Sequence, residues 1–454
     1  MRTRVWALLA PVVLWASAAA ADDTPKIKHE VFTLPSGLQV VLVPDRSVPL
    51  VAVDVWYHVG SGDEVPGKSG FAHLFEHMMF QGAKHIGEDV HFEILKKAGA
   101  SQINGTTNTD RTNYFEQVPS HHLETALRLE SDRMGWLLDT LNQKSLDNQR
   151  EVVRNERRQR YDNVPYGKER FAISQMLYPE GHPYRYMTIG RHEDLQAASV
   201  DDVQSFFKQW YVPSNATLCL AGDFDPKQAK AALNKWFGTL PKAPAPQHRP
   251  VATPQLSAAQ EQTVSDPLAR LERIHLAWHS PAMYKPGDAD LDLAAHILGH
   301  GGTGRLYKRL VHQDQSAQSV AVYQGSQQLS SVFHVIVDLK PGASRDAVLK
   351  VIDEELARLA KEPPSAAERN RAVLDVESAF VWGLEGLMNR CEVLQAYQHY
   401  LGKTDALAQD LQRYRGATPQ SIAAAVASTL MPDRRAAVFS VPAKAATPGQ
   451  GGGR

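Results

Sequence analysis

Apolar positions follow two rhythms along the chain. From Leu38 to Val43 and from Val51 to Val59 they are nearly continuous and β-branched, separated by Pro44 and Pro49, which predicts neighbouring strands. Gly60, Gly62, Gly67 and Gly70 mark a loop leading into a helix that begins near Phe71. A strand from Thr112 to Val118 and a helical segment from about His122 to Leu141 follow. After a second helix and a loop containing Pro and Tyr, the run from Ala216 to Ala221 returns as a strand and stops at Gly222.

The stretch from Ala243 to Ala259 is rich in Pro, Ala and Gln and has no periodicity, so it reads as a linker. Beyond it the order repeats. A strand is expected from Ile274 to Trp278, a helix from Leu291 to Leu298, then a glycine loop, a strand from Val332 to Leu339 and further helices. The closing strand, Ala436 to Val441, resembles the one at Ala216 to Ala221, and the shared order suggests an internal duplication. Strands and long helices without regular βαβ alternation predict an α+β fold of two sandwich domains. Their expected boundaries are 22–242 and 261–442, joined by a linker at 243–260, with a disordered tail at 443–454.

A length of 454 residues suits two domains rather than one, with ordinary apolar and charged fractions. The net charge of −1 gives no reason to expect nucleic acid or an anionic membrane as a partner. Residues 1–21 read as an export signal. Arg2 and Arg4 precede a short apolar run, and small residues from Ala18 to Ala21 offer a cleavage site. Pro11 and Ser17 interrupt a run already too short to span a bilayer, so the expected mature protein is soluble and exported, periplasmic in a bacterial setting. Cys219 and Cys391 are the two cysteines, too few for a disulfide framework, and read as buried thiols in different domains.

The candidate chemistry lies in Phe71-Ala72-His73-Leu74-Phe75-Glu76-His77-Met78-Met79. On a helix His73 and His77 sit one turn apart and face the same way, so their imidazoles can share one zinc ion. Glu76 reaches the same region, where a carboxylate can take a proton from water and pass it to a leaving amine. Two histidines and a glutamate on a helix can also be solvated or structural. Here Phe71, Leu74, Phe75, Met78 and Met79 make the surroundings apolar, and a buried polar triple is costly unless something as strong as a metal satisfies it. A third ligand must come from elsewhere. Helical spacing puts Gln149, Val152, Val153 and Glu156 on one stripe, whereas Glu151 lies about 140° round the axis from Glu156 and is expected in solvent. An inward Glu156 can pair with an arginine or ligate a metal, and the spacing alone allows both.

With these residues the chain resembles the pitrilysin/insulinase family of inverzincin zinc metallopeptidases, particularly its short bacterial and mitochondrial-processing-peptidase-like branch. The family pattern is His-x-x-Glu-His followed, roughly 75 residues later, by a ligand Glu in a Val-Val-x-x-Glu helix; here 78 residues separate His77 from Glu156. Asn104-Gly105-Thr106-Thr107, Thr112-Asn113-Tyr114 and Asn163-Val164-Pro165-Tyr166-Gly167 match as well. The resemblance covers about Val31 to Val441. It implies a clam-shell of two homologous α/β-sandwich domains and one Zn2+ per chain on His73, His77 and Glu156, with Glu76 as catalytic base. It also implies that a peptide substrate adds to a sheet edge at Asn104, Gly105, Thr106 and Thr107. Active single-chain relatives carry an Arg and, seven residues on, a Tyr in the second domain. The matching positions here are Val311 and Gln318, and Val cannot donate a hydrogen bond to a developing oxyanion. A homologous partner subunit supplying that Arg/Tyr pair, in a heteromeric endopeptidase, is therefore expected. The rival is a non-catalytic peptide-binding or assembly subunit that keeps a structural zinc.

Gly299-His300-Gly301-Gly302-Thr303-Gly304 lacks the Lys-Ser/Thr ending of a phosphate loop and reads as an ordinary connection. No Gly-x-Ser-x-Gly element is present, and neither cysteine has a neighbouring histidine.

Overall fold

The computed structural model describes residues 24–443; the expected signal segment 1–21 and all but the first residue of the expected tail lie outside them. The first half builds a six-stranded sheet from β1 (Glu30–Thr33), β2 (Gln39–Pro44), β3 (Leu50–Tyr57), β4 (Ser101–Thr107), β5 (Thr112–Pro119) and β6 (Ala216–Gly222), in the order β1-β2-β6-β3-β5-β4. The second half builds a five-stranded sheet from β7 (Gln260–Asp266), β8 (Arg273–Ser280), β9 (Ala317–Gly325), β10 (Ser331–Leu339) and β11 (Ala436–Pro442), in the order β7-β11-β8-β10-β9. Without β1, the two sheets have one topology. In each, the first strand pairs in parallel with the last, and the other pairings are antiparallel. β11 therefore holds the place of β6, as their similar sequences suggest.

The pleat explains why the central strands read as unbroken apolar runs. On β2 and β6, Val40, Leu42, Leu218 and Leu220 point into the main core of the first half. Val41, Val43, Cys219 and Ala221 point the other way and are also buried, under Leu387, Met388, Cys391 and Leu394. Those four residues belong to the helix Leu387–Leu401, which comes from the far end of the second half. The exchange is reciprocal. The helix Gly167–Leu177 of the first half lays Ala172, Ile173 and Leu177 against Ala277, Ala436 and Val438 on the outer face of the second sheet. Ile274, Leu276, Trp278, Ala437 and Phe439 fill that sheet's opposite face. Both sheets are thus covered on both sides, and strands so covered read as near-continuous apolar runs with a few buried polar positions such as Asp54, Thr217, His275 and Ser440.

Polar groups fix the two crossing helices in place. Gln395 Nε2 donates to the carbonyls of Asp54 and Thr217, 3.0 Å from each. Glu169 lies 2.7 Å from His275 Nδ1 and accepts a 2.7 Å hydrogen bond from the Ser440 hydroxyl. Cys219 and Cys391, from opposite halves of the sequence, are both fully buried free thiols and meet at the first of these junctions. Among the described residues no helix is long and apolar enough to cross a membrane.

Candidate metal centre

The helix Phe71–Met78 carries the His-x-x-Glu-His motif. It starts from Gly70, whose φ of 87° suits glycine, and a Cβ there would stand 2.8 Å from Gly190 Cα. Glu64 caps its first turn, accepting from the Gly70 and Ala72 amides at 3.0 and 2.8 Å, although burial raises its pKa to about 8 against these bonds. Phe71, Leu74, Phe75 and Met78 seat the helix in the core, so the two histidines are fixed on its remaining face.

On that face His73 Nε2 and His77 Nε2 lie 3.3 Å apart with their rings at 89°. Glu156 Oε2 approaches them at 3.6 and 3.3 Å respectively. Glu156 ends the helix Gln143–Arg157, just before the chain widens into a π-helical turn at Arg158–Asp162, a feature often found at functional sites. Four ligands at about 2.0–2.1 Å around a tetrahedral zinc are separated by about 3.3 Å. The three donor atoms therefore fit a zinc ion of that geometry as three of its four ligands, and a Glu76 carboxylate oxygen lies within 4.8 Å of both imidazole donors. Burial, followed by the His77 charge, lowers the His73 pKa to about 4, so its ring is the neutral species that a metal needs. Although burial opposes it, the hydrogen bond with His77 and the charges of His73, His77 and Arg160 hold Glu156 below the usual carboxylate range.

Glu76 stands on the same helix beside this group. Thr107 on β4 donates a 2.6 Å hydrogen bond to its Oε2. β4 is the free edge of the sheet and passes so close that a Cβ on Gly105 would lie 3.1 Å from Glu76 Cγ. Burial raises the Glu76 pKa, and the Thr107 hydrogen bond opposes that rise. Such a carboxyl is better matched to proton transfer near neutrality than an exposed glutamate.

Several of these relations were not legible in the sequence reading. Thr107, expected to touch substrate, uses its hydroxyl to hold Glu76. Thr106 donates to Asn113 Oδ1 at 2.6 Å, while Asn104 is exposed on the edge strand. Arg160 Nη1 sits 2.6 Å from Glu156 Oε1, which leaves Oε2 to the imidazoles; the i,i+4 spacing was the signal for this pair. Val152 is 40% exposed and not on the buried stripe, which runs through Ser145, Leu146, Gln149 and Val153, whereas Glu151 lies in solvent as expected. In the second half Val311 packs partly buried against the core and Gln318 is exposed on β9. The nearby arginines are engaged: Arg305 makes a bidentate pair with Glu368, and Arg309 pairs with Asp314. A cavity of about 620 Å³ opens between the halves from Asn108 to Tyr323 and His334, and its lining does not include His73, Glu76, His77 or Glu156.

Residues 39–171 match the profile of the insulinase family, peptidase family M16, and residues 197–374 match that of the peptidase M16 inactive domain. The chain is 30% identical to zinc protease PqqE of Helicobacter pylori over 400 residues, 87% of each protein. It belongs to peptidase family M16. The M16 chain is also 24% identical to the uncharacterized zinc protease YmxG of Bacillus subtilis, over 86% of this chain and 94% of that one. Its fold matches the crystal structure of a Helicobacter pylori protease with a TM-score of 0.85 and 28% identity, over 91% and 99% of the two chains. The periplasmic protease PqqL from Escherichia coli matches with a TM-score of 0.75 at 19% identity, over 94% of this chain and 49% of that one. The two-sheet clam-shell is the architecture of these M16 neighbours.

Proposed function

We propose that this M16 protein is a zinc-dependent endopeptidase that hydrolyses peptides or small unfolded proteins in the cavity between its halves. His73, His77 and Glu156 hold one Zn2+ per chain, and Glu76 is the catalytic base. The observation that carries this reading is the convergence of His73 Nε2, His77 Nε2 and Glu156 Oε2 within 3.6 Å, with the Glu76 carboxylate held beside them by Thr107. Zinc held by these residues would lower the pKa of a bound water and polarise a peptide carbonyl. Glu76 receives a proton from the attacking water and returns it to the departing nitrogen. Arg160 neutralises Glu156 on its outer oxygen and fixes the carboxylate's orientation. An extended peptide lies along the free edge of β4, bonded through its main chain to the segment from Asn104 to Thr107, which presents its scissile bond to Glu76.

The donor pair for the developing oxyanion comes from a second chain. Val311 and Gln318 stand where single-chain relatives place Arg and Tyr, and Arg305 and Arg309 are tied into ion pairs. A homologous partner subunit without a metal motif supplies the missing Arg and Tyr, and this chain is the metal-bearing member of the pair. The named location of PqqL and the composition of residues 1–21 support export to the periplasm, with no membrane attachment after cleavage.

Glu76→Gln tests the base. It is expected to keep its zinc while kcat falls by ~10²–10⁴-fold; cleavage of a fluorogenic peptide at the wild-type rate overturns the assignment. Full turnover by the zinc-loaded chain as a lone species overturns the need for a partner.

A further inference from the structure

Two further clusters of imidazole and carboxylate groups lie apart from the candidate active site among the described residues. One, His91 with Glu116 and Glu130, is fully buried and already contains a cation, since the Arg133 guanidinium is paired with Glu130. The other, His296, His300 and Asp375, holds no such cation between its donors and opens to solvent.

His296 lies in the last turn of the helix Asp288–Gly299, and His300 follows four residues later, so both rings leave the same side. The rings stack at 4.4 Å. Their Nε2 atoms both face Asp375 Oδ2, on the neighbouring helix Ala366–Gly383, at 2.6 Å from His296 and 3.8 Å from His300. The glycine loop after the helix contributes the remaining feature. Gly302, with φ of 79°, lets the chain fold back so that Thr303 Oγ1 lies 2.8 Å from His300 Nδ1. Donation from Nδ1–H to that hydroxyl leaves the lone pair on Nε2, pointing at Asp375. Outer contacts of this kind fix tautomer and ring orientation in metal-ligating histidines.

We infer that His296, His300 and Asp375 form a second, peripheral site for a borderline transition-metal ion such as Zn2+, which ties the end of one helix to its neighbour. Two imidazoles and one carboxylate select such ions over Mg2+ or Ca2+, which prefer all-oxygen shells. A dication entering between them would open the 2.6 Å His296–Asp375 hydrogen bond and draw in the 3.8 Å His300 contact, bringing both toward the donor spacing of about 3.3 Å around a tetrahedral zinc. Arg371, one turn before Asp375 on the same helix, is close enough to His296 for its charge to disfavour the protonated imidazole. The ion would reinforce a junction already made by the bidentate Arg305–Glu368 pair, which joins the same glycine loop region to the same helix.

The full chain, stripped with chelator and reloaded with ZnCl2, tests this. Bound zinc is counted by elemental analysis after desalting, and thermal melting is followed with and without zinc. Wild type is expected to keep one equivalent more than either His300→Ala or Asp375→Ala, with peptide hydrolysis unchanged in both variants. His77→Ala is expected to lose the other equivalent together with activity, yet still to melt at higher temperature when zinc is added. That rise should vanish in the His77→Ala/His300→Ala double variant. Equal zinc content in wild type, His300→Ala and Asp375→Ala overturns the peripheral site, whatever His77→Ala does. Loss of the equivalent in His300→Ala with no change in His77→Ala upholds it and removes the active-site reading instead.

Discussion

Replacing Thr107 with Val separates two roles for one side chain. Valine has nearly the same shape as threonine, so β4 should keep its course, but the 2.6 Å hydrogen bond to Glu76 Oε2 is lost. A hydrogen bond to a charged group contributes about 1.5–3 kcal/mol. If that energy holds the base in its working position, its loss lowers kcat by roughly ten- to a hundredfold. The sign of the pH effect follows from the same contact. Thr107 favours the ionised carboxylate and so pulls the Glu76 pKa down against burial; without it the pKa rises further. Since the ionised form accepts the proton, the acid limb of the kcat/KM profile should move to higher pH. Thr107→Ser should restore both quantities. Stopped or continuous cleavage of a fluorogenic peptide across pH measures them. A Thr107→Val enzyme with a raised KM, unchanged kcat and an unmoved acid limb would show that Thr107 contacts the substrate and does not position the base.

Arg160→Ala removes the partner of Glu156 Oε1 and is expected to weaken zinc affinity by roughly 10–100-fold, read by competition with a chromogenic chelator. Leu394→Ala opens a cavity where the crossing helix meets the first sheet and should cost about 2–5 kcal/mol in denaturant unfolding, with the whole chain losing stability rather than one half. Asp292 carries a pKa raised to about 7 by burial and by the neighbouring Asp288 charge. Between the ordinary carboxylate value and 7 the folded state binds the extra proton, so stability falls as pH rises through that window. Asp292→Asn should therefore melt higher than wild type at pH 8, by roughly 1 kcal/mol after allowance for solvent screening, and no higher at pH 4.

The sequence was most informative where a period and a chemical need coincided. His73, Glu76 and His77 were readable because four-residue spacing on an apolar helix leaves few other uses for them. The buried strands β3, β6, β8 and β11 announced themselves through apolar runs. β4 and β7 did not, because Ser-Gln-Ile-Asn-Gly-Thr-Thr and Gln-Glu-Gln-Thr-Val-Ser-Asp are edge strands with polar side chains, and their pairing is decided by the neighbour. Val152 was misplaced because a helical wheel gives the width of a stripe but not which margin the neighbours cover. The meeting of Cys219 with Cys391, and of Glu169 with His275, depends on which half each helix packs against. Nothing local in the helices Gly167–Leu177 and Leu387–Leu401 distinguishes a host sheet in their own half from one in the other.

That trade of helices sets the mechanics of the shell. Each lobe wears a piece of the other as its outer cladding, so swinging the lobes apart like the covers of a book would strip apolar surface from both. Parting the lobes outright would expose the apolar faces that Leu394 and Ile173 now cover. A chain cut in the 243–259 connection and made as separate pieces would leave an uncovered apolar trough on each. The pieces would need to be synthesised together, finding their exchanged helices before finding anything else.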